Sequence, residues 1–247
     1  MLKQATCLLA LGWVPLAMGE QAAAPVGAEA APTSSDPTMP ELRDELLRRR
    51  DVDQKARHDH TDWEKANGGP TEVDFEGKSP EEINALAAEA AKRLPPEAKR
   101  LGERLAEVDA ENTRWMKGVI ADHGWPTPKL VGKDGAAAAW LLVQHADADR
   151  KFQRRCLDLM MALPADQVSR QNVAYLTDRV LLAEGEKQRY GTQFFPYHGK
   201  LLLRPVEERE TLDQRRREMG LPPVAEYLRM AEKFYGIGKV KADAKPE

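Results

Sequence analysis

Apolar residues recur at helical spacing over most of the chain from Pro40 onward, and the stretch from Gly124 to Met161 carries the strongest pattern. At about 100° per residue, Ala138, Leu141, Leu142, His145, Ala148, Asp149, Phe152, Cys156, Leu159, Met160 and Leu163 share one arc. That arc spans about 120°, wide enough for a core-facing stripe, while Asp147, Arg150 and Arg154 point away. The spacing predicts one long helix behind the turn Gly132-Lys133-Asp134-Gly135, with Asp134 as its cap. His145 and Asp149 fall inside the apolar stripe, one turn apart, where their side chains can touch. Burying an ionisable group without a partner is costly. The pair therefore either satisfies itself in the core or lines a site.

The other elements follow from similar patterns. Pro40 opens a helix to about Asp59, with Leu42, Leu46, Asp53 and Arg57 on one face; few apolar residues accompany them, so Asp53 and Arg57 read as a solvated surface pair. Ser79-Pro80-Glu81-Glu82 forms a capping box for an Ala-rich helix that Leu94-Pro95-Pro96 ends. A helix from about Glu97 to Asp122 stops at Gly124; its stripe is Leu101, Leu105, Val108, Trp115 and Val119, with Asn112 inside and Asp109 at the edge. After Pro164 another helix reaches Glu184 and stops at Gly185. It is apolar on more than one side, which withdraws Asp178 from water. Aromatic and β-branched residues around Gln188 to Phe195, then Leu201-Leu202-Leu203, predict a short β-hairpin. Helices near Glu207 to Met219 and Pro222 to Tyr235 complete a mainly α, bundle-like domain over 40–236, with a flexible tail over 237–247.

The N-terminal pattern leads us to expect this domain outside the cytoplasm. Lys3, the apolar run Ala5 to Leu16 and Ala17-Met18-Gly19 read as a signal peptide over 1–19, too short and too broken by Gly12 and Pro15 to span a membrane. Residues 20–39, rich in Ala and Pro, read as a disordered linker. The expected location is periplasmic or secreted, with no membrane span in the mature chain. The chain has 37 basic and 40 acidic residues, so nothing favours nucleic acid. Cys7 leaves with the signal, so Cys156 is the one cysteine of the mature chain and reads as a small core residue.

Familiar catalytic spacings are absent: the sequence has no HExxH, no paired ExxH, no GxSxG elbow and no CxxC. A mononuclear metal on His145, Asp149 and Asp178 is possible but disfavoured, because one helix supplies only one histidine. The sequence leaves any cofactor unidentified.

The runs GWP, AAWLLVQHADADRKFQ, AYLTDRV, QRYGTQF and LDQRRREMGL, with DQKAR upstream, occur in order. In them the chain closely resembles a bacterial family known only as domain of unknown function 6624. The resemblance covers roughly Leu42 to Tyr227 apart from residues 64 to 96, and it implies no activity. It implies that Asp53, Gln54, Arg57, Trp125, Gln144, His145, Asp149, Gln153, Asp178, Arg179, Gln188, Tyr190, Gly191 and Gln193 occupy the family's motif positions.

Two functions are compatible with these residues. In one, His145 is a general base oriented by Asp149, with Asp178 converging from the next helix. Gln144, Gln153, Arg179, Gln188, Tyr190 and Gln193 then bind a small polar ligand. In the other, the chain is a non-catalytic interaction or structural domain, and the same polar residues only fix the fold. Neither names a protein partner.

Overall fold

The structure is a computed structural model that describes residues 37–67, 85, 89, 92–197 and 200–235. The expected signal peptide, most of the linker, most of the Ser79 helix and the C-terminal tail lie outside these residues.

The described chain is mainly α. Its helices are α1 (Pro40–Ala66), α2 (Pro96–His123), α3 (Pro128–Gln144), α4 (Arg150–Met161), α5 (Arg170–Ala183), α6 (Leu212–Glu218) and α7 (Val224–Tyr235). One antiparallel hairpin, β1 (Phe194–Tyr197) and β2 (Lys200–Leu203), pairs Phe194 with Leu203 and Tyr197 with Lys200. A short 3-10 turn over Arg209–Thr211 leads into α6.

Helix α3 is the centre of the bundle. Ala138, Ala139, Trp140, Leu141, Leu142 and Val143 are all buried, covering every side of its last turns, as expected of a helix enclosed by neighbours. α1 packs chiefly on α3 and α2, and α4 packs on α5. Arg150 Nη1 donates to the Ala183 carbonyl at 2.7 Å and Arg154 pairs with Glu184, which tie the start of α4 to the end of α5. Trp140 Nε1 reaches the Asn172 carbonyl at 3.1 Å and anchors α5 to α3.

The single long central helix of the sequence reading is corrected here: it is two helices with a turn between them. α3 ends at Gln144, and His145 caps it at φ −87° and ψ 1°. The Asp149 N–H then closes a turn on the Ala146 carbonyl at 2.9 Å. Asp149 is the N-cap of α4, its Oδ1 accepting the Phe152 N–H at 3.1 Å. An aspartate side chain that can cap competes with continued helix, and here the cap wins. The helix expected behind Gly132 is present, and a further helical turn from Pro128 precedes it, the two joined across a break at Gly132, whose φ of 74° favours glycine. Asp134 is not the cap at that start; it pairs with Arg43 and accepts the Gly135 N–H at 2.9 Å.

Candidate active site at the break between α3 and α4

The break puts His145 against α1. Its Nδ1 lies 2.9 Å and 3.1 Å from the two oxygens of Asp53 and 3.0 Å from Arg57 Nε. A carboxylate oxygen can only accept, so Nδ1 must carry the proton to bond Asp53. Arg57 Nε–H is directed at Nδ1 as well as at Asp53 Oδ2 at 3.3 Å; with Nδ1 protonated, imidazole and guanidinium both donate to the one buried carboxylate. That assignment leaves the lone pair on His145 Nε2, which has no hydrogen bond among the described residues.

Asp53 is fully buried. Burial opposes its charge, but His145 and Arg57 together hold it well below the ordinary carboxylate range. Arg57 continues to Asp109 on α2, with Nη2 to Oδ1 at 2.5 Å. Desolvation pushes the Asp109 carboxyl up; Arg57 opposes this, and Asp53 and Asp147 add like-charge repulsion. Asp53 and Arg57 are therefore a buried pair, not the solvated surface pair their helix pattern suggests. The half-apolar face of α1 is covered by α2 and α3, which a reading of one helix cannot register.

Asp53, Asp109 and His145 offer three ligand-type atoms within 4.8 Å of one another. The Arg57 guanidinium contacts all three residues, so the cation among these carboxylates belongs to the protein itself.

The remaining predicted residues fall into two groups. Asp149, partly exposed, pairs with Lys117 and caps α4; it makes no hydrogen bond to His145, so the expected His145–Asp149 pair is replaced by His145–Asp53. Gln153, 1% exposed, donates to the Val143 and Gln144 carbonyls at 3.2 and 2.9 Å and to Asp147 at 3.1 Å, closing the C-terminal end of α3. Asp147 also takes both Arg179 Nε and Nη2, at 2.8 and 2.6 Å. Gln144, equally buried, has neither amide atom hydrogen-bonded.

Asp178 organises a second structure beside the first. Its carboxylate accepts the N–H groups of Arg189, Tyr190 and Thr192 at 2.7 to 2.8 Å and the Thr192 hydroxyl at 2.9 Å. Burial raises its pKa while these bonds pull it back. Gln188 takes the Gln193 N–H on Oε1 and gives Nε2 to the Gln193 and Arg204 carbonyls. Gln193 Nε2 donates to Thr192 Oγ1 at 3.0 Å. Gly191 turns at φ 62° with Leu212 so close that a Cβ would meet it at 3.3 Å. Tyr190 is half-buried and gives its carbonyl to Arg216 Nη1. Asp178 is thus committed to the 188–193 loop, and no hydrogen bond joins it to His145. Burial pushes the Cys156 thiol up to about 12, which suits a core residue and not a nucleophile.

The sequence reading flagged His145 and missed Asp53 and Asp109 as its company. The usable signal was Asp149 three residues before Phe152 at the head of an amphipathic run, a cap pattern that would have broken the helix.

A family model described as a family of unknown function, DUF6624, matches residues 78–241. That is about two thirds of the chain, and it contains His145, Asp109 and Asp178 but not Asp53 or Arg57. No curated protein and no solved structure matches significantly.

Proposed function

We propose that this chain, which belongs to the DUF6624 family of unknown function, binds a small polar ligand and acts on it by general base catalysis, with His145 as base and Asp53 as its positioning residue. The observation that carries the reading is the divided imidazole: Nδ1 is fixed by a buried carboxylate and Nε2 has no partner among the described residues. A base needs that arrangement, because the carboxylate sets tautomer and ring orientation and stabilises the imidazolium that forms. Charge supports it too. With His145 neutral, Asp53, Asp109 and Arg57 sum to one negative charge, and proton uptake at Nε2 cancels it.

In this assignment the ligand presents an O–H or N–H, or holds a water, at Nε2. Asp149 and Asp178 act at one remove, Asp149 by starting α4 and Asp178 by holding the 188–193 loop. The compartment proposed is periplasmic or secreted, from the N-terminal sequence.

A second reading, a domain whose polar interior only fixes the fold, is favoured by Gln153, Gln188 and Asp178, which spend their side chains on backbone groups. Diethyl pyrocarbonate separates the two, since it acylates an imidazole nitrogen that bears a lone pair. Mass spectrometry of the native protein should find His145 modified. Turnover of a panel of small esters, amides and phosphoesters should fall about 10²- to 10⁴-fold in His145→Gln. Modification of His145 only after unfolding, with no turnover difference, would leave the structural reading standing.

A further inference from the structure

Among the described residues, the buried side-chain atoms without a hydrogen bond are Asn112 Nδ2, both amide atoms of Gln144, and Arg216 Nη2. Arg216 serves the loop that Asp178 organises, with Nη1 on the Tyr190 and Gly191 carbonyls and Nε on the Pro222 carbonyl. Gln144 directly precedes His145. Asn112 enters the seam between α1 and α2 that also holds the His145 cluster. Its Oδ1 takes Arg49 Nη1 at 3.2 Å, and Asp109, one turn earlier on the same face of α2, takes Arg57 Nη2. Arg49 and Arg57 lie one turn to either side of Asp53, so Asn112 and Asp109 reach α1 on either side of that carboxylate.

Within the cluster, exposure rises outward: the side chains of Asp53, His145, Arg57 and Asp109 are 0%, 3%, 14% and 26% exposed. Asp109 is the member that an incoming molecule meets first. Its hydrogen bonding is also incomplete. Asp53 spends both oxygens on His145, Arg57 and Gln54, and Asp109 Oδ1 takes Arg57. Asp109 Oδ2 accepts nothing among the described residues. A carboxylate oxygen of Asp109 lies within 4.8 Å of a His145 ring nitrogen and of an Asp53 oxygen, so this half-used carboxylate stands beside the imidazole.

Charge decides what the open oxygen receives. Two carboxylates share one guanidinium here, and Asp147, two residues on from His145, is already balanced by Arg179. Arg57 Nη1 makes no hydrogen bond among the described residues, yet an anion placed on it would set a third negative charge against one positive one. A cation on Asp109 Oδ2 brings the sum to zero. Burial is the main cause that pushes the Asp109 carboxyl up, and a second cation opposes it as Arg57 does. A proton passing from such a ligand to His145 Nε2 moves within the site and leaves the balance unchanged.

We infer that Asp109 determines specificity at the His145 site by holding a protonated amino group of the ligand on Oδ2, so that the substrate is a small amine. This rests on the reading of His145 as the reacting base and names the substrate class of that site. The bond is charge-assisted, an ammonium N–H donating to a carboxylate oxygen. The short separation of carboxylate and imidazole matches a molecule whose reacting O–H or N–H is a short carbon chain away from its ammonium. Asn112 Nδ2 supplies a donor to an uncharged acceptor of the same molecule.

The test is an NMR titration of the full chain at neutral pH and low salt with ethanolamine, ethylene glycol and glycolate, which carry beside one hydroxyl an ammonium, a second hydroxyl or a carboxylate. The His145 ring 15N resonances, identified by their loss in His145→Gln, and the Asp109 backbone amide report binding. Ethanolamine should shift them saturably, with an affinity about tenfold or more above the other two, the margin of a charged over a neutral hydrogen bond. Asp109→Asn keeps an oxygen for Arg57 and should bring ethanolamine down to the level of ethylene glycol, with circular dichroism melts confirming that the variant is folded. The ranking of the three probes on the wild-type chain decides even where the variant does not fold. Failure of the catalytic reading shows separately, as turnover unchanged in His145→Gln while ethanolamine still moves the Asp109 amide. No binding of ethanolamine by the wild-type chain, binding no tighter than that of the other two probes, or an undiminished preference in folded Asp109→Asn would overturn the inference.

Discussion

At the scale of single residues, Asp53 carries the most weight, because four donors from three other side chains converge on one fully buried carboxylate. Asp53→Asn keeps the shape but removes the charge, and should cost roughly 1 to 3 kcal/mol at neutral pH. The pH dependence has a definite sign. A carboxyl held below its ordinary value in the folded state stabilises fully above its unfolded pKa of about 3.9 and loses that contribution as pH falls towards the folded value. Urea unfolding of wild type and Asp53→Asn across a pH series should therefore show a difference that is constant above about pH 5 and shrinks below about pH 4. A difference independent of pH would mean that Asp53 is not held ionised by its partners. Residue-scale reading of the sequence placed His145 in the interior correctly. It chose Asp149 as partner because spacing along one helix reveals only local neighbours, whereas Asp53 is 92 positions away.

At the scale of elements, the break between α3 and α4 makes the site. Had the helix run on from Gln144, His145 would have stayed on the stripe shared with Phe152 and Cys156. Two side chains maintain the break, and their loss should have different consequences. Asp149→Ala removes the cap and should cost about 1 kcal/mol. Gln153→Ala strips the partner from two buried carbonyls and from Asp147, and should cost more, roughly 2 to 4 kcal/mol. Equilibrium denaturation of both variants gives the comparison. If Asp149→Ala proved the more damaging, the original pairing of Asp149 with His145 would deserve return. The signs of the break were legible as two aspartates within HADAD, but the apolar stripe continues across the turn and masked them.

At the scale of the whole molecule, the site is assembled from parts that are distant in sequence: Asp53 and Arg57 from α1, Asp109 from α2, His145 and Asp147 from the turn and Arg179 from α5. Asp178 couples this assembly to the loop before the hairpin. Asp178→Ala leaves three backbone N–H groups and a hydroxyl without their acceptor, and should cost roughly 3 kcal/mol or more. Hydrogen exchange should show lost protection at Arg189, Tyr190 and Thr192 while the amides of α3 keep theirs; retained protection at the loop would contradict this role. The sequence by itself determined the mainly helical class, the hairpin, the helix ends at Gly124 and Gly185 and the interior placement of His145 and Asp178. These follow from local quantities: the period of apolar residues, the dihedral freedom of glycine and proline, and the cost of a polar group within an apolar stripe. Only the tertiary structure decided that Asp53 and Arg57 are buried and that His145 bonds α1 instead of its own helix. Burial on α1 is conferred by α2 and α3 packing over it, and the partner of a buried charge is set by which elements meet in space, a property absent from the periodicity of any one of them.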